Sequence, residues 1–443
     1  MKSSPRLRLL TLALIGVTAN SLAADPKGPP LSPLKPAVSE LPFMISYWCG
    51  PPKAETTSER YKELAECGFN VAFAAIDNLW SPNDKAQEEH NLKLLDLCKE
   101  AGMQALIWDG NILKVGAFDK APKPEEIPQI EKTLDGLIAK YSSHPAFLGF
   151  IEGDESITLE GTRRLGVVNQ YLMKKDPKHV PYFNLLPAYA FSARTEYDTY
   201  VSKFIEDGKA PFVSWDHYRQ MFGGGDESTY WANLELMRKK CTEVGIPFNQ
   251  IIVSLKHMGY RECSEADLRW QVNTSLAFGS RGIQYFTYWF TKGLAWADAP
   301  SFIDKNGKRD RKYDYAKKIN TRAAKLGPTL IKLVCTGAYC AGTPLPPGAV
   351  PLPDNAPVKK AEGGRVVVGC FQSAEGKRYI FPVNRTLKFV VTSKLTLDEW
   401  AESVSEVSQE TGELLPPTPL TDGTLEVKLQ PGDGQLFLIN DKK

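Results

Sequence analysis

The sequence has few of the residues and motifs from which metal and cofactor sites are built. It contains five histidines in 443 residues, with no HExxH motif and no paired CxxC motifs, so no common type of zinc site is expected. No GxGxxG or GxxxxGK[ST] motif follows a predicted strand, which argues against a nucleotide site. No GxSxG elbow is present either, which argues against a serine hydrolase triad. We therefore expect no metal and no cofactor.

The sequence also lacks a large excess of positive or negative charge and has few long apolar runs. The formal net charge is +2, and there is no basic stripe, so nucleic acid is not an expected partner. The apolar run Leu9–Val17 follows three basic residues and precedes the small residues Ser21-Leu22-Ala23. It is too short to span a bilayer comfortably, and no later stretch is longer. This pattern predicts a signal peptide over residues 1–23 and a flexible lead-in over 24–41, hence an exported protein that is periplasmic or extracellular. A retained anchor is the alternative.

The eight cysteines are too few to indicate a disulfide scaffold in so long a chain. Cys335, Cys340 and Cys370 are close enough in the sequence to allow one bridge. The remaining cysteines that lie in apolar segments, such as Cys67 and Cys98, are expected to be buried thiols.

Residues 42–330 alternate short apolar strands with amphipathic helices. The eight predicted strands are Phe43–Cys49, Asn70–Ala75, Gln104–Trp108, Phe147–Ile151, Tyr182–Leu186, Phe212–Trp215, Ile251–Leu255 and Gly282–Tyr288. Regular alternation with eight strands predicts an α/β fold, a closed (β/α)8 TIM barrel, with an open doubly wound sheet as the alternative. Residues 331–443 contain turn-separated strands and almost no helix, which predicts a small C-terminal antiparallel β-sandwich.

The most informative segment is FLGFIEGDES, in which an apolar strand ends in three acidic residues, Glu152, Asp154 and Glu155. Clustered and buried carboxyl groups raise one another's pKa, which can keep one of them protonated near neutral pH. A protonated carboxyl group is what a glycosidase acid needs. We predict Glu155 as that acid, with its pKa raised by Asp154, Glu152 and burial, and Asp154 as a further catalytic residue. An acidic cluster that only pairs with basic residues is the alternative.

The other strands of the predicted barrel also end in polar or aromatic residues, and a barrel builds its site from these ends. Asp216 is the leading candidate for the second carboxylate that glycoside hydrolysis requires, although it could equally bind a substrate hydroxyl. Flat aromatic rings with acids and amides suit a carbohydrate cleft. The predicted substrate-binding residues at the strand ends are Glu152, Trp48, Trp108, Asp109, Trp215, His217, Tyr218, His257, Tyr288 and Trp289, and Asp77 and Asn184 occupy equivalent positions. A structural role is the alternative for each tryptophan and histidine.

With these residues in view, the chain resembles the clan of (β/α)8 glycoside hydrolases that includes the family 42 β-galactosidases and family 5 glycanases. In that clan the fourth strand ends in Asn-Glu, and the resemblance assigns the acid/base role to Glu155 within Asp154-Glu155-Ser156. Tyr288-Trp289 matches the tryptophan that ends the eighth strand in many members. The segments GDES, SWDHY, EADLRWQVNTSLAFGSRGIQYFTYW and LQPGDGQLFLI are similar to exported bacterial proteins described as glycoside hydrolases.

The chain departs from this clan at the seventh strand. Clan members carry a nucleophilic Glu there, whereas this strand is followed by Lys256-His257, and the next carboxylate is Glu262. Four alternatives stay open: Glu262 reaches back, Asp216 is the nucleophile, the enzyme inverts by activating water, or hydrolysis has been lost. The expected function is hydrolysis of O-glycosidic bonds in a poly- or oligosaccharide. The alternatives are a non-catalytic carbohydrate-binding protein and a carbohydrate lyase in which Tyr218 and His257 act as base and acid.

Overall fold

The structure is a computed structural model that describes residues 41–75, 85–116, 119–155, 157–221, 229–290 and 299–442. The predicted signal peptide, all but the last residue of the lead-in, and Asp77 lie outside the described residues. Among the described helices, none is long and apolar enough to cross a membrane.

Eight parallel strands form the barrel. They are β1 (Met44–Tyr47), β2 (Val71–Ala72), β3 (Gln104–Ile107), β4 (Phe147–Asp154), β5 (Val180–Leu185), β6 (Val213–Asp216), β7 (Phe248–Val253) and β8 (Gly282–Phe286). From β2 to β8 each strand pairs with the next one in the chain, and β8 also pairs with β1. The strands are buried on both faces, as in other parallel barrels, and the predicted fold class is confirmed.

The gap between β1 and β2 is closed by Asn70 and by a single bridge between Gly50 and Ala75 rather than by a regular ladder. The Asn70 side chain accepts a hydrogen bond from Ile45 N at 2.8 Å and donates one to Phe43 O at 2.8 Å. Asn70 N also donates to Ile45 O at 3.1 Å. Because an amide side chain offers both a donor and an acceptor, it can replace a backbone pair at this seam.

The helices of the barrel surround these strands. They are α1 (Ser58–Glu66), α2 (Lys85–Glu100), α3 (Gly110–Val115), α4 (Ile127–Tyr141), α5 (Gly161–Lys175), α6 (Arg194–Glu206), α7 (Tyr230–Val244), α8 (Glu265–Ala277) and α9 (Arg311–Leu330). Ser264 followed three residues later by Asp267 predicts a cap at the start of α8. The cap is present, since Asp267 N donates to Ser264 Oγ at 3.2 Å. Gly245 ends α7 with a φ of 69°, a conformation that favours glycine. The six-residue helix α3 and the 13-residue helix α6 were not predicted from the sequence.

The C-terminal strands form two antiparallel sheets. They are β9 (Leu333–Ala341), β10 (Val358–Glu362), β11 (Val366–Ser373), β12 (Arg378–Asn384), β13 (Val391–Leu397), β14 (Ala401–Glu406), β15 (Thr418–Pro419), β16 (Thr424–Leu429) and β17 (Phe437–Asp441). One sheet has the order β10-β13-β16 and the other β15-β14-β17-β12-β11-β9. Val366, Leu395 and Val427 belong to the core of the sandwich, whereas Phe371 and Phe381 pack into the core of the barrel. The predicted β-sandwich is confirmed.

The possible disulfide is not present. All eight cysteines, including Cys335, Cys340 and Cys370, are buried and none forms a disulfide. These three lie on the neighbouring strands β9 and β11, but Cys335 pairs with Phe371 and Cys370 with Gly337. The register therefore leaves no two of them directly opposite one another.

Candidate functional site

Three carboxyl groups meet at the C-terminal edge of the barrel strands, which we call the mouth. Asp154 ends β4, Glu155 follows it, and Asp216 ends β6. The Asn184 side chain on β5 joins two of them, because its Nδ2 donates to Asp154 Oδ1 at 3.0 Å and to Asp216 Oδ1 at 3.2 Å. Glu155 completes the group through a side-chain hydrogen bond with Asp216. The structure thus brings together the three residues predicted to be catalytic.

A bulge in β4 places Asp154 in this group. Ile151 pairs with Tyr182 on β5, but Gly153 pairs with Phe183 and Asp154 with Asn184, so the register shifts at Glu152. If the ladder continued without this shift, Glu152 would pair with Phe183, Gly153 would lie opposite Asn184, and the site would lack the Asp154 carboxylate. A Cβ atom on Gly153 would be 2.4 Å from the Phe183 ring, so only glycine fits there.

A buried hydrogen-bond network beneath the mouth fixes the Asn184 amide. Ser214 Oγ donates to Asn184 Oδ1 at 3.2 Å, and the Tyr182 hydroxyl lies 2.7 Å from Ser214 Oγ and donates to Gln284 Oε1 at 2.6 Å. With Asn184 Oδ1 accepting from Ser214, the Nδ2 group faces the carboxylates. The barrel interior therefore orients the donor that the acidic pair shares.

Burial and mutual repulsion raise the pKa of two of the three carboxyl groups. Burial raises the pKa of Asp154 to about 7, the charge of Glu155 adds to the shift, and the Asn184 hydrogen bond opposes it. Burial also raises the pKa of Asp216 well above its usual value, and Glu155 and Asp154 raise it further. Asp216 therefore favours its protonated form at neutral pH, whereas Asp154 ionises close to pH 7. Asp216 has the properties of a proton donor.

The expectation that Glu155 is buried is wrong, since its side chain is exposed. Its backbone has a φ of 55°, a left-handed conformation that is uncommon outside glycine and ends the alternation of the strand. Glu155 N donates to Asn184 O at 2.9 Å, which fixes this turn. Glu155 therefore faces the open mouth and contacts Asp216 from the solvent side.

Glu152 is fully buried, and burial raises its pKa well above the usual value. Its Oε1 atom has no hydrogen-bond partner among the described residues. Ionising such a group is costly, so Glu152 is neutral in the folded protein. No contact of the described structure places Glu152 against the three carboxyl groups.

Aromatic side chains form a wall beside Asp216. Tyr189 is 42% exposed, its ring lies edge-on to His217 at 5.1 Å, and its hydroxyl accepts a hydrogen bond from Tyr260 at 3.1 Å. The Tyr260 ring is 5.2 Å from Tyr218 and 5.0 Å from His257. Tyr189 and Tyr260 were not predicted as site residues, because they lie in loops beyond the strand ends; their proximity to other aromatic residues appears only in the fold.

The two histidines of this wall have structural partners. His217 is buried, with Nδ1 at 2.8 Å from Asn233 Oδ1. His257 Nδ1 lies 2.8 Å from Leu255 O, and burial lowers the pKa of His257. Both rings are thus held in fixed orientations and line the mouth from one side.

Several predicted substrate-binding residues lie in the core. Trp108, Trp215 and Tyr288 are completely buried, and Trp48 packs on Phe73 with ring centroids 4.4 Å apart. Trp289 is also buried and lies beneath the Arg60 guanidinium group at 5.0 Å. These rings present almost no surface to a ligand and instead stabilise the barrel.

Asp109 and Glu262 have structural partners as well. Asp109 caps α3 by accepting from Asn111 N at 2.8 Å, and its second oxygen accepts from the Tyr141 hydroxyl at 2.8 Å. Glu262 lies 2.7 Å from the Nζ atom of the fully buried Lys312. Glu262 therefore compensates a buried charge, and no contact of the described residues joins it to the three carboxyl groups.

The described residues contain no group of three His, Cys, Asp or Glu side chains that could hold a metal ion. The carboxyl groups at the mouth can transfer protons and can attack a carbon atom as nucleophiles. An acid and a charged carboxylate, here supplied by β4 and β6 on either side of β5, are the groups that glycoside hydrolysis requires.

The fold is shared with solved glycoside hydrolases. A family 5 glycoside hydrolase from Bacteroides vulgatus aligns over 90% of this chain and 90% of its own, with a TM-score of 0.54 and 13% identity. A candidate α-galactosidase from Bacteroides fragilis aligns over 92% of this chain and 80% of its own, with a TM-score of 0.53 and 9% identity. No family model and no curated protein matches the chain. At these identities the likeness shows the fold alone, a (β/α)8 barrel with a C-terminal β-sandwich, as the resemblance implied.

Proposed function

We propose that this protein is a glycoside hydrolase that cleaves O-glycosidic bonds with Asp154 and Asp216 as its catalytic pair. The observation that carries the proposal is the Asn184 amide held between the two carboxyl groups at the mouth. Two facing carboxyl groups, one protonated and one charged, supply the acid and the nucleophile that this reaction needs. The fold shared with solved glycoside hydrolases is consistent with this proposal.

The spacing favours a retaining mechanism. Both oxygens lie within hydrogen-bonding distance of Asn184 Nδ2, so they are at most about 6 Å apart, below the roughly 6.5–9.5 Å of inverting enzymes. Asp154 attacks the anomeric carbon to form a glycosyl ester while Asp216 gives its proton to the departing oxygen. Asp216 then takes a proton from water, which cleaves the ester and releases the sugar.

Glu155 has a supporting role in this scheme, in place of the acid role that the sequence suggested. Its side chain lies beside Asp216 and acts on it electrostatically. Its negative charge raises the pKa of Asp216 and so favours the protonated form of the acid. The absence of a carboxylate after β7 is then no obstacle, since β4 and β6 supply both groups.

A panel of 4-nitrophenyl glycosides would identify the accepted sugar, and two variants would then test the roles. Asp216→Asn should lose about 10²–10⁴-fold on substrates with poor leaving groups but little on 2,4-dinitrophenyl glycosides, which depart without a proton. Asp154→Asn should lose activity on both. Asp354→Asn, at an exposed loop of the sandwich, is the control.

Azide and product analysis complete the test. Azide should restore the activity of Asp216→Asn, and the product should have retained anomeric configuration. Full activity of both variants on a natural glycan, or a first-formed product of inverted configuration, would contradict the proposed mechanism. Calorimetric binding of a glycan without any cleavage would support a carbohydrate-binding protein instead.

The apolar segment near the N-terminus leads us to propose export as well. N-terminal sequencing of the protein recovered from the periplasm or medium should find a new terminus close to Ala24. Recovery of the chain with Met1 intact in the cytoplasm would contradict export.

A further inference from the structure

An apolar groove opens beside the mouth, between the segment that follows β4 and the helix α6. Its volume is about 620 Å³, within the roughly 300–1,000 Å³ range of small-molecule pockets. The apolar lining is formed by Ile157, Leu159, Leu186, Phe191 and Tyr200. Leu159 is 49% exposed on its rim, so the groove presents apolar surface that the fold itself leaves uncovered.

Two of the threonine side chains that line this groove are already engaged. Thr158 Oγ1 donates to Asp119 O at 2.8 Å, and Thr199 Oγ1 donates to Thr195 O at 2.9 Å. A sugar needs hydrogen-bond partners for each hydroxyl that it buries. The groove offers few, so its lining is suited to a hydrocarbon rather than to a second sugar.

The groove lies close to the carboxyl groups of the mouth. Leu186 lies two residues beyond Asn184, and Ile157 lies two residues beyond Glu155. Burial raises the pKa of Tyr200, and the charges of Glu155, Asp216 and Asp154 raise it further. The floor of the groove is therefore within the electrostatic field of the reacting groups.

We infer that this groove binds an apolar aglycone, an alkyl or aryl group attached through the glycosidic oxygen, while the sugar occupies the mouth. This inference rests on the proposed function, since it specifies which side of the scissile bond the groove receives. A ligand that spans both regions has its polar half beside the carboxyl groups and the tyrosine wall. Its apolar half is transferred from water into the groove, and this transfer supplies the binding free energy.

The test compares phenyl and 4-butylphenyl glycosides of the accepted sugar, whose leaving groups have similar acidity. Each methylene that becomes fully buried is worth about fourfold in binding. We expect kcat/KM to be at least tenfold higher for the butyl compound, and less than twofold higher in Thr199→Trp, where the indole fills the groove. Thr195→Trp, one helical turn away, is a second filling variant. Thr321→Trp is the matched control, because Thr321 is exposed on α9 with the same type of hydrogen bond, to Lys317 O at 2.7 Å.

A sugar-free probe separates this inference from the proposed function. NMR titration with 4-butylphenol should shift signals of Leu159, Leu186 and Phe191 in the wild type and the control but not in Thr199→Trp. Binding of 4-butylphenol without hydrolysis of any glycoside would leave the groove assigned and contradict the hydrolase. Hydrolysis with no preference for the butyl compound would overturn the inference alone. A dimer that Thr199→Trp dissociates in sedimentation would also overturn it, because the groove would then be an interface between copies of this chain.

Discussion

Replacing Asp154 with asparagine is expected to stabilise the folded protein, by more at pH 8 than at pH 5. The pKa of Asp154 is about 7 in the folded protein and about 3.9 in an unfolded chain. Folding therefore favours the protonated form. The contribution of this group to stability is fully present below about pH 4 and is lost as the pH rises through about 7.

The magnitude follows from the two pKa values. Between pH 5 and pH 7 the unfolded chain is ionised at this position while the folded protein is mostly protonated, a span of about 2 pH units at about 1.4 kcal/mol each. Asp154 is partly accessible to solvent at the mouth, which reduces the effect. We expect the gain in the free energy of unfolding from Asp154→Asn to be about 1–3 kcal/mol larger at pH 8 than at pH 5. The Asn184 hydrogen bond survives, because the asparagine oxygen can also accept it.

Urea unfolding at the two pH values measures this difference and needs no knowledge of the substrate. Asp354→Asn removes a carboxylate from an exposed loop and should show no such pH dependence. Equal stabilities of Asp154→Asn and the wild type at pH 8, or an equal gain at both pH values, would refute the electrostatic reasoning about the site.

Three further predictions concern other parts of the molecule. Glu262→Gln should lower the free energy of unfolding by about 3 kcal/mol, since it leaves the buried Lys312 ammonium group without its counter-ion; the folded variant should keep its activity, and a strongly reduced kcat would restore Glu262 as a nucleophile. Tyr189→Ala should raise KM for the accepted glycoside about tenfold with less effect on kcat, because it removes a ring of the exposed wall, and steady-state kinetics with an unchanged KM would exclude that role. All eight cysteines should react with a thiol reagent in denaturant but not in the folded protein, and a reductant should leave the melting temperature unchanged; a lower thiol count would reveal a disulfide.

Some features of the fold and of the candidate site could be predicted from local sequence patterns, and others could not. The Ser264 cap, Gly245 and the alternation of apolar strands with helices are local features, and they sufficed to predict the barrel and most of its elements. The acidic end of β4 was also visible in the sequence, because carboxylates at the end of an apolar strand are unusual. The buried tryptophans were less predictable, since a residue at a strand end can face either the mouth or the helices.

The sequence by itself determined the order of the elements, the (β/α)8 barrel, the β-sandwich and the position of the acidic cluster, since these depend on hydrophobic periodicity and turn residues within short windows. Only the tertiary structure decided which carboxyl groups lie together at the mouth. The bulge at Glu152 shifts the register by one residue and so sets Asp154 beside Asn184, and the packing of β5 between β4 and β6 brings in Asp216. This arrangement depends on contacts between residues about 30 to 60 positions apart in the chain. A one-residue shift in register reverses the face of the sheet on which each side chain lies, and neither segment alone shows which register forms.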